Sequence, residues 1–185
     1  MRRSRKRNHL VRKASKLFEA RGFHATGIDM VLSEAGIAKM TLYNHFASKD
    51  DLIAAALRHK SLKVLNWLED ELTARTSDPK GRVLALFDAY QDWFEQDDFS
   101  GCMFQKAAGE FPAKDHPAHK EAANHKRRLY ERLTHLTEGA GATDPAQLAE
   151  QLLLLLEGAT AIATSTGATI AGRRAKRAAE ILLAV

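Results

Sequence analysis

Three observations predict an all-α fold. Apolar residues recur at helical spacing along nearly the whole chain. Pro and Gly are few, 4 and 11 among 185 residues, and no strong run of alternating β-branched residues interrupts the pattern. The length suits one large domain or a small one followed by a larger one, and the apolar content of 45% is ordinary for a chain with a real core. The single cysteine, Cys102, excludes an internal disulfide and any cysteine-based zinc cluster. Met1 is followed by RRSRKR, not by a hydrophobic signal region. The run of leucines, Leu152 to Leu156, is too short to span a bilayer and is closed by Glu157. A cytoplasmic protein with no membrane partner is expected.

Charge divides the chain. Residues 1–60 carry 13 Lys/Arg against 5 Asp/Glu, a net +8, whereas the remaining 125 carry 15 against 18, a net −3. A basic N-terminal third on a mildly acidic body is the footprint of a nucleic-acid-binding module attached to something else.

A first helix is expected from about Asn8 to Gly22, with Leu10, Ala14, Leu17 and Phe18 as its buried stripe and Gly22 as its stop. Thr26 can cap the next helix, with Asp29 completing a capping box. Ile28, Val31, Leu32 and Ala35 then share one face, and Gly36 reverses the chain. A further short helix runs from about Lys39 to His45, its Leu42 and Phe46 pointing inward. Lys39, Met40, Thr41, Tyr43, Asn44 and His45 are left mainly outside. So short a helix does not carry that many exposed donors for its own stability. Two helices across a Gly-containing turn form a helix-turn-helix, which lays its second helix in the DNA major groove. Lys can meet guanine or a phosphate, Asn can bond adenine bidentately, and Thr offers a hydroxyl and a methyl. Alone, the cluster Arg2 to Arg7 reads as a solvated tail. Beside a helix-turn-helix, Arg2 and Arg3 head a candidate arm that reaches a phosphate or a minor groove.

These residues resemble a known family. AGIAKMTLYNHFASKDDL is similar to the second half of the DNA-binding domain of TetR-type transcriptional regulators, and FEARGFHATGIDMV to the first half. The resemblance covers about Leu10 to Leu57 without a gap. It implies that Thr26, Lys39, Thr41, Tyr43, Asn44, His45 and Lys49 occupy DNA-facing positions; by their own chemistry Tyr43 and Thr26 suit holding the backbone rather than reading bases. Met40 stands where many members carry a small residue such as Gly, and Ala38 where Ser is common.

Ser48, with Asp51 at the capping-box position, opens a helix that continues to about Arg75 before Asp78-Pro79 ends it. Lys49 at its start adds a charge to exposed backbone N–H groups, both of which favour a phosphate. Further helices are expected over Arg82–Glu95, Cys102–Phe111, Pro117–Glu138, Pro145 to about Thr169, and Arg173–Leu183. The division of charge and task falls near Lys60, bridged by continuous helix, and the domains are placed at 1–48, the DNA-binding domain, and 49–185, the effector-binding and dimerisation domain.

The second half holds an aromatic, sulfur-rich set in which Trp67, Tyr90, Trp93, Phe94, Met103 and Phe104 are either core or the lining of an apolar ligand pocket. The resemblance implies a small-molecule effector there, its identity unknown. Leu152, Leu155, Leu156, Ala159, Ile162 and Ala163, with Ala178 and Leu182 of the last helix, are either core or half of a four-helix dimer interface. The resemblance implies the homodimer, and so does the need of one short recognition helix for a second half-site. Cys102 reads as a small buried hydrophobe before a redox sensor. His116, His119 and His125 could be drawn as a metal site with Glu110 and Asp115, but their polar stretch reads better as a solvated helix start, so no metal and no cofactor is expected.

The resulting expectation is a non-enzymatic, homodimeric, sequence-specific regulator, a ligand-responsive repressor on a palindromic operator of double-stranded DNA. Its all-α architecture is a three-helix DNA-binding domain joined by a long helix to a bundle that dimerises. Two rivals remain: a helical enzyme or metal-dependent protein using His and Glu residues around 110–125, and a DNA-binding regulator with no effector. No HExxH motif, DxD-type carboxylate pair or Gly-rich phosphate loop supports the enzyme.

Overall fold

The computed structural model describes residues 2–167 and 170–184, with the side chains of residues 2–4 outside that description. All regular structure among them is helical: α1 (Arg2–Arg21), α2 (Ile28–Ala35), α3 (Lys39–Tyr43), α4 (Lys49–Arg75), α5 (Pro79–Phe94), α6 (Met103–Glu110), α7 (Pro117–Gly139), α8 (Pro145–Thr166) and α9 (Ala171–Leu183). Several boundaries follow local chemistry. Ser48 Oγ accepts the Asp51 N–H at 3.1 Å and opens α4. Asp78 accepts the Gly81 N–H at 2.5 Å, with Pro79 at the first helical position, so α5 starts three residues before the expected Arg82. Asp144 caps α8 in the same way through Gln147 N–H at 3.0 Å. α1 starts at Arg2, not at Asn8, so the basic cluster is a helical extension and not an extended arm.

The chain divides into two compact units, one formed by Met1–Lys63 with Met103–His125, the other by Val64–Cys102 with Lys126–Val185. Compactness therefore groups α1–α3 with the first part of α4, with α6 and with the start of α7, a different division from one at 48/49. The reason is burial. Leu10, Ala14 and Phe18 of α1, Val31 of α2, Leu42 of α3 and Leu52, Ile53 and Leu57 of α4 are all fully buried in the first unit. Phe23 sits 5.2 Å from the Phe18 ring and 5.7 Å, edge-on, from Phe111 just beyond α6.

In the second unit α5 packs against α9 and α8, around a core that includes Leu68, Leu72, Leu86, Phe87, Tyr90, Leu133, Leu152 and Leu156. Gly172 is required there, since a Cβ on it would stand 2.8 Å from Gln91 Cβ of α5. Glu69 ties three helices of this unit: Arg82 donates to one oxygen at 2.9 Å, and Arg132 forms a 2.7 Å ion pair with the other at an angle outside hydrogen-bonding geometry.

Burial divides the candidate interface set. Leu152, Leu156, Ala159 and Ala163 are already buried in the chain's own core, as the core reading of them requires. Leu155, Ala178 and Leu182 are half-buried. Ile162 of the candidate set is exposed, at 53%, and so is Leu154 of α8, at 73% of its full exposure, with Gly158 and Ala161 exposed on the same side. Ile181 of α9 is exposed as well.

Candidate nucleic-acid interface

The interface is built from the α2–turn–α3 corner. Gly36 takes the left-handed conformation at φ 61°, Ile37 N–H bonds Leu32 O at 3.2 Å, and Gly36 N–H bonds Ser33 O at 3.2 Å. That pair of bonds is a Schellman closure, which ends α2 and turns the chain toward α3. α3 is shorter than expected, ending at Tyr43, but backbone bonds from Asn44, His45 and Phe46 to Met40 and Leu42 continue the coil for another turn. Leu42 and Phe46 anchor it inward at 0% and 4% exposure. Lys39, Met40, Tyr43 and Asn44 are exposed, and Thr41 and His45 are half-buried. Lys39 lies 3.9 Å from Asp29, an exposed pair that water and salt screen. Lys49, at the first turn of α4, is half-buried.

Thr26 does not act as expected. α2 is preceded by Gly27 with no side-chain cap, and the Thr26 hydroxyl donates backward to Gly22 O at 2.7 Å. It satisfies a carbonyl at the end of α1 and is fully buried, so its side chain is not offered to DNA. Arg2 and Arg3 have side chains outside the described residues. Sequence reasoning missed Arg7, whose guanidinium lies 5.2 Å over the Phe46 ring and so ties the basic start of α1 to the end of the recognition segment. It missed a second cluster too. The His59 imidazole of α4 is held below its usual pKa by burial and then by the nearby cations Lys63, Arg12 and Lys60, of which Lys60 is paired with Glu19 of α1.

The histidines that could be drawn as a metal site make other contacts. His116 accepts the Ala118 N–H at 3.2 Å and stacks on Phe111 at 4.3 Å. His119 Nδ1 donates to Phe111 O at 2.9 Å. His125 is buried, bonded to Ser61 at 3.0 Å and stacked on Phe104 at 3.6 Å.

Four of the six aromatic and sulfur residues expected in a pocket fall together in the second unit. Tyr90 lies edge-on to Trp93 at 5.7 Å and to Phe94 at 6.0 Å, and Trp67 is 6.5 Å from it. Met103 and Phe104 belong to the other unit. Burial pushes the Tyr90 phenol far above its ordinary pKa, and Cys102 and Glu157 add to the rise. Glu157 is paired with Lys126, whose ammonium also lies 3.8 Å from the Cys102 sulfur.

The profile described as "Bacterial regulatory proteins, tetR family" matches residues 10–56, and that described as "Tetracyclin repressor-like, C-terminal domain" matches residues 79–179. The chain belongs to the TetR family. It is a helix-turn-helix transcriptional regulator that binds DNA, and this is not an enzyme family. The Escherichia coli HTH-type transcriptional regulator YjdC is 27% identical over 152 residues, 82% of this chain and 80% of its own. The Mycolicibacterium smegmatis HTH-type transcriptional activator FasR is 35% identical over 95 residues, 51% of this chain and 43% of its own. A TetR-family regulator from Streptomyces coelicolor has a crystal structure with TM-score 0.85 and 29% identity, covering 98% of this chain and 95% of that one. In this TetR-family protein no described helix is long and apolar enough to cross a membrane.

Proposed function

We propose that the protein is a cytoplasmic, ligand-responsive repressor that binds a palindromic operator as a homodimer. The observation that carries this reading is the outer face of α3: exposed Lys39, Met40, Tyr43 and Asn44 stand over fully buried Leu42. Asn44, Lys39 and Thr41 would meet base edges, while Tyr43, His45 and Lys49 would hold phosphates and set the register. The exposed stripe Leu154, Gly158, Ala161 and Ile162 of α8, with Ile181 of α9, would be covered by the same stripe of a second copy. An apolar effector among Trp67, Tyr90, Trp93 and Phe94 would act only through its different affinity for the DNA-competent and incompetent arrangements. α4, one continuous helix of 27 residues, would carry that difference. The individual packing of Glu110, His116, His119 and His125 argues against catalysis or metal chemistry at residues 110–125.

A second reading, a regulator with no effector, is favoured by how tightly the rings fill their own space, Trp93 on Phe99 at 5.0 Å and Phe94 on Phe99 at 5.3 Å. Sequencing duplexes retained from a random pool tests the main reading: a two-fold symmetric motif is expected, and retention without any shared motif would sink it. Titrating small apolar and aromatic compounds into the resulting gel shift separates the two regulators.

A further inference from the structure

We propose that Glu110, the last residue of α6, is a positioning residue for operator binding, which holds the α1–α2 corner without touching DNA. The corner begins where α1 ends at Arg21. Gly22 turns the chain at φ +82°, and the next two amides have no partner in a helix. The Glu110 carboxylate takes both: Phe23 N–H lies 3.0 Å from each oxygen, and His24 N–H lies 2.6 Å from Oε2. Charge-assisted bonds of this kind are about twice as strong as neutral ones. The His24 ring closes the grip by donating from Nε2 to the Glu110 carbonyl at 3.0 Å. One turn earlier on α6, Lys106 donates to Glu19 O at 2.7 Å, a carbonyl near the end of α1. The site has no slack. A Cβ on Gly22 would stand 2.8 Å from Glu110 Oε1.

What the corner holds is the recognition unit. Thr26 bonds Gly22 O at 2.7 Å just before α2 begins, and His9 of α1 donates to Ala35 O at 3.1 Å at the other end of α2. α2 is thereby pinned to α1 at both ends, and α3 follows α2 through the closed turn at Gly36. The carboxylate lies 86 and 87 residues along the chain from the amides it holds. The DNA-binding corner is therefore completed by a side chain from outside the helix-turn-helix segment. The inference rests on α3 being the element that reads DNA.

Charge and geometry predict opposite outcomes for E110Q, which makes the test decisive. Removing a negative charge from a DNA-binding unit strengthens attraction to any duplex. Loosening the corner weakens only binding that depends on where α3 lies. Full-length wild type and E110Q would be titrated, at one fixed salt concentration, with a duplex selected by the wild type from a random pool and with an unrelated duplex. At least about a tenfold loss is expected on the selected duplex, with equal or slightly tighter binding on the unrelated one, and E110D should recover part of the loss. Selected-duplex binding within twofold of wild type overturns the proposal. So does a parallel loss on both duplexes, which would mark a general defect. If E110Q does not fold, K106M, which removes the Lys106–Glu19 bond, takes its place. K106M also removes a positive charge and so weakens binding to every duplex. The reading is then the extra loss on the selected duplex, about threefold or more beyond that on the unrelated one, and an equal loss on both overturns the proposal.

Discussion

Asn44 and Lys49 separate reading a sequence from holding a backbone. Asn44 is exposed one residue past α3, with an amide that can bond adenine through two groups at once. N44A should change which base is preferred at one position of the selected motif, by about 1–3 kcal/mol of discrimination. Lys49 lies at the first turn of α4, where free N–H groups and an ammonium together favour a phosphate. K49A should weaken binding to all duplexes alike and flatten the salt dependence by about one unit of slope. Measuring both variants across the same duplex set checks the assignment: equal weakening by N44A on every sequence would remove it from the reading set. In the other unit, Tyr90 gives a residue-scale prediction about stability. Its buried phenol keeps its proton where an unfolded one, near the ordinary value of 10.0, would lose it. The unfolded state gains from that ionisation, so stability is intact below about pH 10 and declines above it. Y90F should remain stable over more of that range, read from denaturant midpoints between pH 8 and 11.

At the scale of elements, two glycines of the DNA-binding unit test what the turns require. Gly22 and Gly36 both sit at positive φ, but a Cβ on Gly36 would meet nothing within 4 Å, whereas one on Gly22 would collide with Glu110. G36A should cost about 1–2 kcal/mol, the strain of a left-handed L-residue alone. G22A adds displacement of the Glu110 carboxylate from two amides and should cost about 1–3 kcal/mol more. Urea unfolding of the two variants gives the difference directly, and equal costs would mean that the carboxylate yields freely. The same elements mark what a sequence can carry. The starts at Ser48 and Asp144 were legible, each a side chain that bonds an amide three residues on, whereas Asp78 read as the end of α4 and its cap on α5 was missed. Thr26 was not legible, because a hydroxyl between two helices can turn forward or back, and here it turns back to the Gly22 carbonyl. Glu110 left no sequence trace, since its partners lie more than 80 residues away. On α8 the run of five leucines has no polar side to show which face the core takes. Leu152 and Leu156 therefore stood open between core and interface, and the structure buries them, whereas exposed Leu154 was passed over.

For the molecule as a whole, the open question is what covers α8. Leu154 and Ile162 lie eight residues apart, on the side where Gly158 and Ala161 are also exposed, and small residues there allow close helix approach. An isolated Asp at an exposed position costs little, within about 0.5 kcal/mol. The same Asp buried opposite its symmetry mate places two unpaired charges in an apolar interface. I162D should therefore leave the melting of the isolated chain nearly unchanged while shifting sedimentation from dimer to monomer. DNA binding then follows from geometry. A two-fold pair of recognition helices spans half-sites about 34–36 Å apart. Losing the link between them removes about 10²–10⁴-fold of the affinity that bivalence adds. I162D should accordingly lose the selected motif while keeping weak, salt-sensitive binding to any duplex. L156D, at a position with 0% exposure, is the contrasting variant and should unfold the second unit instead. If I162D sediments as a dimer and binds the selected duplex as wild type does, the α8 stripe is not the surface that brings two recognition helices together.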